Sequence, residues 1–272
     1  MKHIFYFLLF AVINFGAFAG DSIRIVILHT NDTHSQVEPE SVSDLGGYAR
    51  RLGMLQTIRS EEKNVLLFDV GDFFQGTPYF NFHNGRVEVD AMNRMLYDAV
   101  TIGNHEFDNG IDTLAVVLRD AKFPIVSSNY DMSKTPLKKM VKPYIIIKKF
   151  GLKIGVMALN PNPYSLIMQN NYRGLVYSDP MTVAQKTSEF LKKKKRCDLI
   201  ICLSHLGYNL KTEAADDIKI ARNTQYIDVI LGGHSHSLLQ DTSETNIDGK
   251  KVIIGQAGKS GFYLGRINLE IR

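Results

Sequence analysis

The sequence predicts an α/β fold, in which short buried strands alternate with amphipathic helices. Apolar runs rich in β-branched residues, such as Ile23–Leu28 and Leu199–Leu203, are typical of strands that are buried on both faces. Stretches with apolar residues at helical spacing, such as Leu45–Ile58 and Ile111–Arg119, separate these runs. Polar residues follow most of the strands at once, which is where open α/β sheets bind their ligands.

In the first half of the chain, apolar patterning predicts three strands and three helices. The run Ile23–Leu28 is followed by the helical stripe Leu45–Ile58, whose apolar residues recur every three or four positions. Short apolar runs and helical spacing then continue this alternation. The remaining predicted elements of this half are the strands Val65–Phe68 and Asp98–Ile102 and the helices Glu88–Tyr97 and Ile111–Arg119.

The second half of the chain contains more strand than helix. Pro143–Lys149 and Leu152–Leu159 flank Phe150-Gly151 and predict a β-hairpin with glycine in its turn. The one predicted helix, Pro180–Lys195, ends in a basic run that suits the negative end of a helix dipole. The remaining predicted strands of the chain are Phe123–Ser127, Leu199–Leu203, Tyr226–Leu231, Val252–Gly255 and Tyr263–Ile271.

Composition limits the function classes. The chain has 272 residues, enough for one large or two small domains, with 44% hydrophobic and 22% charged residues. The net charge is +4, and no face combines Lys/Arg with aromatic residues, so we expect no nucleic-acid partner. The Gly258-Lys-Ser260 tripeptide is not a phosphate-binding loop, because Ile253 occupies the position where that motif requires glycine.

Residues 1–19 differ from the rest of the chain. A basic start, an apolar block and an Ala17-Phe-Ala19 end predict a secretory signal peptide. An uncleaved membrane anchor is the alternative, but it would need about 20 apolar residues. We therefore expect a periplasmic or secreted protein without a membrane anchor after cleavage. Cys197 and Cys202 lie too far apart along one strand for a disulfide and are expected to be buried free thiols.

Five strand ends carry Asp, Asn or His, and together they predict a metal site. Alone, each cluster could be a solvated loop or a local cap. Carboxylates, an amide and imidazoles without thiolates suit zinc, manganese, iron(II) or cobalt. Seven donors suit two divalent ions if one carboxylate bridges them, and Asp72 is the bridging candidate. The candidate metal ligands are Asp32, His34, Asp72, Asn104, His205, His234 and His236.

Two neighbouring ions form a clamp that favours phosphoryl transfer. Beyond the candidate ligands, His105 and Asp108 are three residues apart and could pair if this segment begins a helix. Asp108 would then orient the imidazole, and a protonated His105 could stabilise developing charge or protonate the leaving oxygen. Asn129 follows the Phe123–Ser127 strand and is a candidate substrate-binding residue.

In their residues and in their order along the chain, these motifs resemble those of the calcineurin-like metallophosphoesterases. The resemblance is strongest to the catalytic, N-terminal domain of the bacterial 5'-nucleotidase and UDP-sugar hydrolase family, and it covers essentially all of residues 20–272. The motifs are Asn31-Asp-Thr-His34, Gly71-Asp72, Gly103-Asn-His-Glu-Phe-Asp108, Ser204-His205, Gly233-His-Ser-His236 and Gly258–Gly265.

The resemblance implies a four-layer αββα sandwich of two mixed sheets flanked by helices, with the metals between the loop ends of the sheets. It also implies one ion on Asp32, His34, Asp72 and His236. A second ion would take Asp72, Asn104, His205 and His234. His105 and Asp108 would form the catalytic dyad.

The implied function is an exported binuclear phosphohydrolase that cleaves nucleotide phosphomonoesters by attack of a metal-bound hydroxide. A 2',3'-cyclic nucleotide phosphodiesterase, a UDP-sugar diphosphatase and a non-catalytic metal- or phosphate-binding subunit of a two-chain nucleotidase stay open. Relatives usually continue into a nucleotide-binding C-terminal domain, whereas this sequence ends at Arg272. We therefore expect either a separate chain that supplies that domain or action on a broader range of small phosphate esters.

Overall fold

The computed structural model describes residues 22–271, so the predicted signal peptide at residues 1–19 lies outside the described residues. The strands are β1 (Ile23–Thr30), β2 (Val65–Asp69), β3 (Ala99–Thr101), β4 (Ile125–Val126), β5 (Tyr130–Asp131), β6 (Val141–Lys142), β7 (Tyr144–Lys149), β8 (Leu152–Leu159), β9 (Val176–Tyr177), β10 (Leu199–Ser204), β11 (Val229–Gly232), β12 (Thr242–Thr245), β13 (Lys251–Gly255) and β14 (Gly265–Ile271). The α-helices are α1 (Tyr48–Glu61), α2 (Pro78–His83), α3 (Arg86–Met95), α4 (Gly110–Leu118), α5 (Pro180–Glu189) and α6 (Asp217–Asn223).

Two six-stranded mixed sheets form the centre of the molecule. The first sheet has the order β14-β1-β2-β3-β4-β6, in which only β14 runs antiparallel to its neighbour. The second has the order β12-β13-β11-β10-β8-β7, with parallel inner strands and antiparallel strands at both edges. Strands β5 and β9 form a small separate pair.

Alternate residues of each inner strand face different layers. In β1, Ile25 and Ile27 enter the core between the two sheets, whereas Val26 and Leu28 pack in the core that contains α1, α3 and α4. In the second sheet, residues such as Ile200 pack in a third core with α5 and α6. Both faces of each sheet are therefore covered, which explains the unbroken apolar runs. The predicted four-layer αββα sandwich is confirmed.

Several element boundaries differ from prediction. The helix predicted over Pro180–Lys195 is α-helical only to Glu189 and continues as a π-helix over Phe190–Lys194, where the Lys192 ammonium binds the Cys197 carbonyl at 3.1 Å. Six short elements were not predicted from the sequence: α2, α6, β5, β6, β9 and β12. The predicted hairpin is present as β7 and β8. Both cysteines are buried and free, as predicted.

The carboxyl ends of the inner strands of both sheets meet at one edge of the sandwich. The Gly233 amide donates to the Ser204 carbonyl at 2.9 Å, which joins the loops after β11 and β10. Asn160, at the end of β8, donates from its amide to Thr101 Oγ1 at 3.0 Å and to the Ile102 carbonyl, so it ties the second sheet to the first. This edge carries the candidate site. Within residues 22–271, no helix has the length and apolarity needed to cross a bilayer.

Candidate metal centre and histidine–aspartate pair

Three donors from the two sheets form what we call the first donor group: Asp32, His34 and His236. One potential ligand atom from each lies within 4.8 Å of those of the other two. The Nε2 atoms of His34 and His236 are 3.1 Å apart, and His236 Nε2 is 3.6 Å from Asp32 Oδ1. Two imidazole nitrogens and a carboxylate therefore converge on one point, as the ligands of a transition-metal ion do.

The second donor group consists of Asp72, His205 and His234, whose potential ligand atoms also lie within 4.8 Å of one another. His205 Nδ1 is 2.6 Å from the Val70 carbonyl and must donate to it, so Nε2 is the nitrogen available to a metal ion. Nε2 lies 3.0 Å from Asp72 Oδ2. Although burial opposes it, the Asp72 carboxylate raises the pKa of His205 to about 10, so these two atoms hold between them a proton that a metal ion would replace.

Asn104 adds a further donor beside the second group. Its Oδ1 is buried and has no hydrogen-bond partner. A buried carbonyl oxygen without a partner costs free energy, about 1–3 kcal/mol. Together with His205 Nε2, this oxygen shows that the residues fit a bound divalent ion. The two groups adjoin, because His205 Nε2 is 3.9 Å from Asp32 Oδ1.

Five of the seven candidate ligands have left-handed backbone conformations, which non-glycine residues rarely adopt. Such strain costs on the order of 1–3 kcal/mol per residue and persists only where the surroundings enforce it. Here the backbone amide of His34 donates to the Asp72 carbonyl at 2.9 Å, and that of His234 donates to the Asp32 carboxylate at 2.9 Å. The five residues are Asp32 (φ 49°), His34 (φ 46°), Asp72 (φ 54°), His234 (φ 70°) and His236 (φ 54°).

Two glycines allow the loops after β2 and β3 to touch. A Cβ on Gly71 would lie 2.4 Å from the Gly103 nitrogen, and a Cβ on Gly103 would lie 2.2 Å from Asp72 Oδ1. Neither position can therefore carry a side chain without displacing Asp72. This close approach brings Asp72 beside Asn104.

The buried carboxylate of Glu106 fixes this contact. It accepts hydrogen bonds from the backbone amides of Asp72 at 2.9 Å, Phe74 at 3.0 Å and Gly103 at 2.5 Å. The sequence places Glu106 in the polar motif, but the reasoning from sequence gave it no role. The one signal in the sequence for this role is the pair Gly71 and Gly103, since glycines in both loops leave backbone amides for a side chain to bind.

His105 and Asp108 are brought together by a short 3₁₀ helix, His105–Phe107. Nδ1 of His105 is 2.8 Å from Asp108 Oδ2, and its ring centroid is 5.4 Å from that of His34. The hydrogen bond to Asp108 raises the pKa of His105 to about 9. The imidazolium therefore persists at neutral pH next to the first donor group.

The pKa values of two candidate histidine ligands shift in the opposite direction to that of His105. Burial lowers the pKa of His34 and of His234 to about 4, so both imidazoles are neutral at pH 7, the form that binds metal ions. Although burial opposes it, the neighbouring His205 holds the pKa of Asp72 below its usual range. The site thus combines the neutral imidazoles of His34 and His234 and an ionised carboxylate with the protonated His105, and His205 is also protonated when no ion is bound.

The side chain of Asn129 binds backbone groups at the start of the loop after β8. It is buried, and it accepts from the Asn160 amide at 2.8 Å and donates to the carbonyls of Asn160 at 2.8 Å and Ser178 at 3.3 Å. These contacts give Asn129 a structural role in this loop. Its candidate role in substrate binding stays a prediction.

Comparison with known proteins identifies relatives of the described fold. The family model described as calcineurin-like phosphoesterase matches residues 25–238. Human 5'-nucleotidase is 34% identical over 93% of this chain, and the trifunctional nucleotide phosphoesterase protein YfkN of Bacillus subtilis is 32% identical over 90%. The crystal structure of a 5'-nucleotidase precursor from Thermus thermophilus covers 91% of this chain with a TM-score of 0.83 and 35% identity.

The matched regions are only parts of the relatives. The alignments cover 47% of the human protein, 18% of YfkN and 51% of the Thermus thermophilus chain. The NAD nucleotidase of Haemophilus influenzae, with a TM-score of 0.83 and 27% identity over 92% of this chain, is matched over 53% of its length. The chain therefore spans about half the length of most of the relatives named here.

Proposed function

The chain belongs to the calcineurin-like phosphoesterase family, and on that premise we propose that it is an exported phosphohydrolase that cleaves nucleotide phosphomonoesters with two divalent ions. One observation carries the proposal: the two donor groups adjoin each other and lie beside the His105–Asp108 pair. The family match supports the predicted enzyme class, a metal-dependent phosphoester hydrolase.

We assign one ion to the first donor group and the other to the second donor group with Asn104, and Asp72 serves both. Their nitrogen and oxygen donors suit zinc, manganese, iron(II) or cobalt. Bound there, two divalent ions would lower the pKa of water and neutralise charge on the phosphoryl oxygens. The role of the ligand side chains is to hold the two ions at a fixed spacing beyond the carboxyl ends of the strands.

His105 acts as the proton donor in this proposal. Asp108 accepts the Nδ1 proton and fixes the ring, so the proton on Nε2 is available to a substrate oxygen. As the phosphorus–oxygen bond breaks, His105 either donates this proton to the leaving oxygen or stabilises its negative charge. Correctly placed general acids contribute about 10²–10⁴-fold in rate.

The names of the relatives support nucleotides as the substrate class. They include 5'-nucleotidases, a trifunctional nucleotide phosphoesterase and an NAD nucleotidase. Cyclic 2',3'-nucleotides and UDP-sugars are alternative substrates for the same phosphorus chemistry. If the domain hydrolyses simple esters better than nucleotides, we propose that a separate chain completes the nucleotide site.

The test is substrate hydrolysis by protein lacking residues 1–19 after loading with manganese or zinc, followed as phosphate release for monoesters and by chromatography of the products for 2',3'-cyclic AMP and UDP-glucose. The substrates are AMP, 2',3'-cyclic AMP and UDP-glucose, with p-nitrophenyl phosphate as the undemanding reference. We expect hydrolysis of the reference by the wild type and at least a 100-fold loss in His105→Ala with metal content unchanged. Turnover of AMP above the reference supports recognition of the nucleoside by this domain alone.

Two results would contradict the proposal. Absence of hydrolysis with every ion and substrate would favour a metal- or phosphate-binding subunit. Full activity of His105→Ala would remove the proton donor from the mechanism.

Export is tested separately, by comparing the cell fractions that contain the full chain and a variant lacking residues 1–19. Retention of both in the cytoplasm would contradict it.

A further inference from the structure

We propose that Gln256 is a positioning residue for the ion of the first donor group, an inference that rests on the proposed two-ion site. Gln256 lies just after β13 and is 1% exposed. It is not itself a candidate ligand, and its role is independent of the Glu106 contacts that hold the second group. It acts by fixing the loop that carries His236.

The side-chain amide of Gln256 binds that loop at three points. Its Oε1 accepts from the Ser237 backbone amide and from Ser235 Oγ at 3.1 Å. Its Nε2 donates to the Gly233 carbonyl at 3.1 Å. The contacts at Ser235 and Ser237 flank His236, which has a left-handed backbone and no regular secondary structure to hold it, and the contact at Gly233 lies next to His234.

The residues after Gln256 bind the loop that carries Asp32. The Ala257 amide donates to Asn31 Oδ1 at 2.8 Å, and Asn31 Nδ2 donates to the Gly258 carbonyl at 2.8 Å and to Asp32 Oδ2 at 2.6 Å. The Ser260 amide donates to the Asp32 carbonyl at 2.7 Å. One short segment, residues 256–260, therefore sets the distance between Asp32 and His236.

The second donor group shares the Gly233 contact but has further contacts that do not involve Gln256. Glu106 holds the Asp72 loop, the Val70 carbonyl orients His205, and the Ser204 carbonyl binds the amide of Gly233 next to His234. Loss of the Gln256 amide should therefore disturb the first ion more than the second. The tripeptide Gly258-Lys-Ser260 binds both loops, since the Gly258 amide donates to the Ser237 carbonyl at 2.9 Å and the Ser260 amide donates to the Asp32 carbonyl.

The test is Gln256→Met, which keeps the length of the side chain and removes its hydrogen bonds. Manganese and zinc binding are measured by calorimetry on metal-free protein and by metal content after dialysis at fixed free ion. We expect wild type to bind two ions. In Gln256→Met, one of them should bind about 10- to 100-fold more weakly, the usual cost of losing a contact behind a ligand. The other should change less than threefold.

Glu106→Gln is the matched variant, because it weakens the contacts behind the second group. It should weaken the ion of the second group more than that of the first, because Glu106 holds Asp72, which serves both ions, and Gly103 next to Asn104, which serves only the second. The two variants should therefore affect the two ions in opposite order. Activity of Gln256→Met should return at high metal concentration with kcat near wild type. Ser235→Ala removes one of the two contacts to Gln256 Oε1 and leaves the others, so its effect on the same ion should be smaller; it tests the role of Gln256 if Gln256→Met does not fold.

The outcomes separate the two proposals. Unchanged affinities in Gln256→Met, or equal weakening of both ions, overturn the role of Gln256 and leave the two-ion site intact. A wild type that binds fewer than two ions overturns the two-ion site itself. A lower melting temperature of the metal-free variant with normal metal affinities would mean that Gln256 only stabilises the fold.

Discussion

The two donor groups use similar residues but differ in burial and support. In the second group, the side chains of His205 and Asp72 are 0% and 3% exposed, and their loops are bound to backbone at the ends of regular strands. In the first group, the His236 side chain is 37% exposed, and its loop depends on the irregular segment 256–260. We expect a resident ion in the second group and an exchangeable ion in the first.

The largest expected effect comes from removing the carboxylate that both groups share. Asp72→Ala should lose both ions and reduce kcat/KM for p-nitrophenyl phosphate by about 1000-fold, the scale of a preorganised electrostatic group. Metal content and steady-state kinetics measure this. The exposed Asp120→Ala is the control and should match wild type. Two retained ions in Asp72→Ala would show that the groups do not share this ligand.

Single histidine variants should separate the groups. His205→Ala removes a fully buried ring and leaves the Val70 carbonyl without its donor, so the free energy of unfolding of the metal-free protein should fall by about 2–4 kcal/mol. His236→Ala should change it by less than about 0.5 kcal/mol. Urea denaturation measures both. Equal losses would mean that burial does not distinguish the groups.

Metal removal should proceed in two phases. Dialysis of the loaded protein against EDTA should release one ion about 10-fold faster than the other, because the first group is open to solvent and the second is not. Metal content over time measures the phases. His236→Ala should remove the fast phase only. Release of both ions in one phase would contradict the difference in access.

The smallest expected effect concerns two neighbouring imidazoles, His34 in the first group and His105 beside it. In metal-free protein, NMR should give a pKa of about 9 for His105, raised by its hydrogen bond to Asp108, and about 4 for His34, lowered by burial. Asp108→Asn should lower only the former. Because the folded pKa of His105 exceeds its ordinary 6.5, this pair's contribution to stability is complete below pH 6.5 and is lost as pH rises through about 9. A pKa of His105 that is unchanged in Asp108→Asn would contradict the pairing.

The strands and helices of the α/β fold and the positions of the donors follow from local patterns in the sequence, whereas the four-layer sandwich was implied by the resemblance to the family. Apolar runs locate the inner strands, and Asp or His directly after them must lie at one edge of the sheets. The contacts that hold these donors are different. Glu106 binds amides 34 and 32 residues away, and Asn31 binds the Ala257 amide 226 residues away. No local pattern predicts them, because they depend on how loops from two sheets meet.

Boundaries were missed for local physical reasons. The polar strand β12 lacks alternation because it lies at a sheet edge beside β13. The basic run after Glu189 continues the helix in a wider π turn, which helical spacing alone does not distinguish. Neither difference moves a candidate ligand.

The pairing of β1 with β14 has a consequence for how the protein is made. β1 carries the Asp32 loop, yet one of its two neighbours in the sheet is the last described strand, with Ile23 opposite Ile271. This pair cannot form until residues 265–271 have left the ribosome, and contacts this distant in sequence form slowly. The Asp32 loop should therefore reach its final position, and the first donor group become complete, only after all of residues 23–271 have been synthesised.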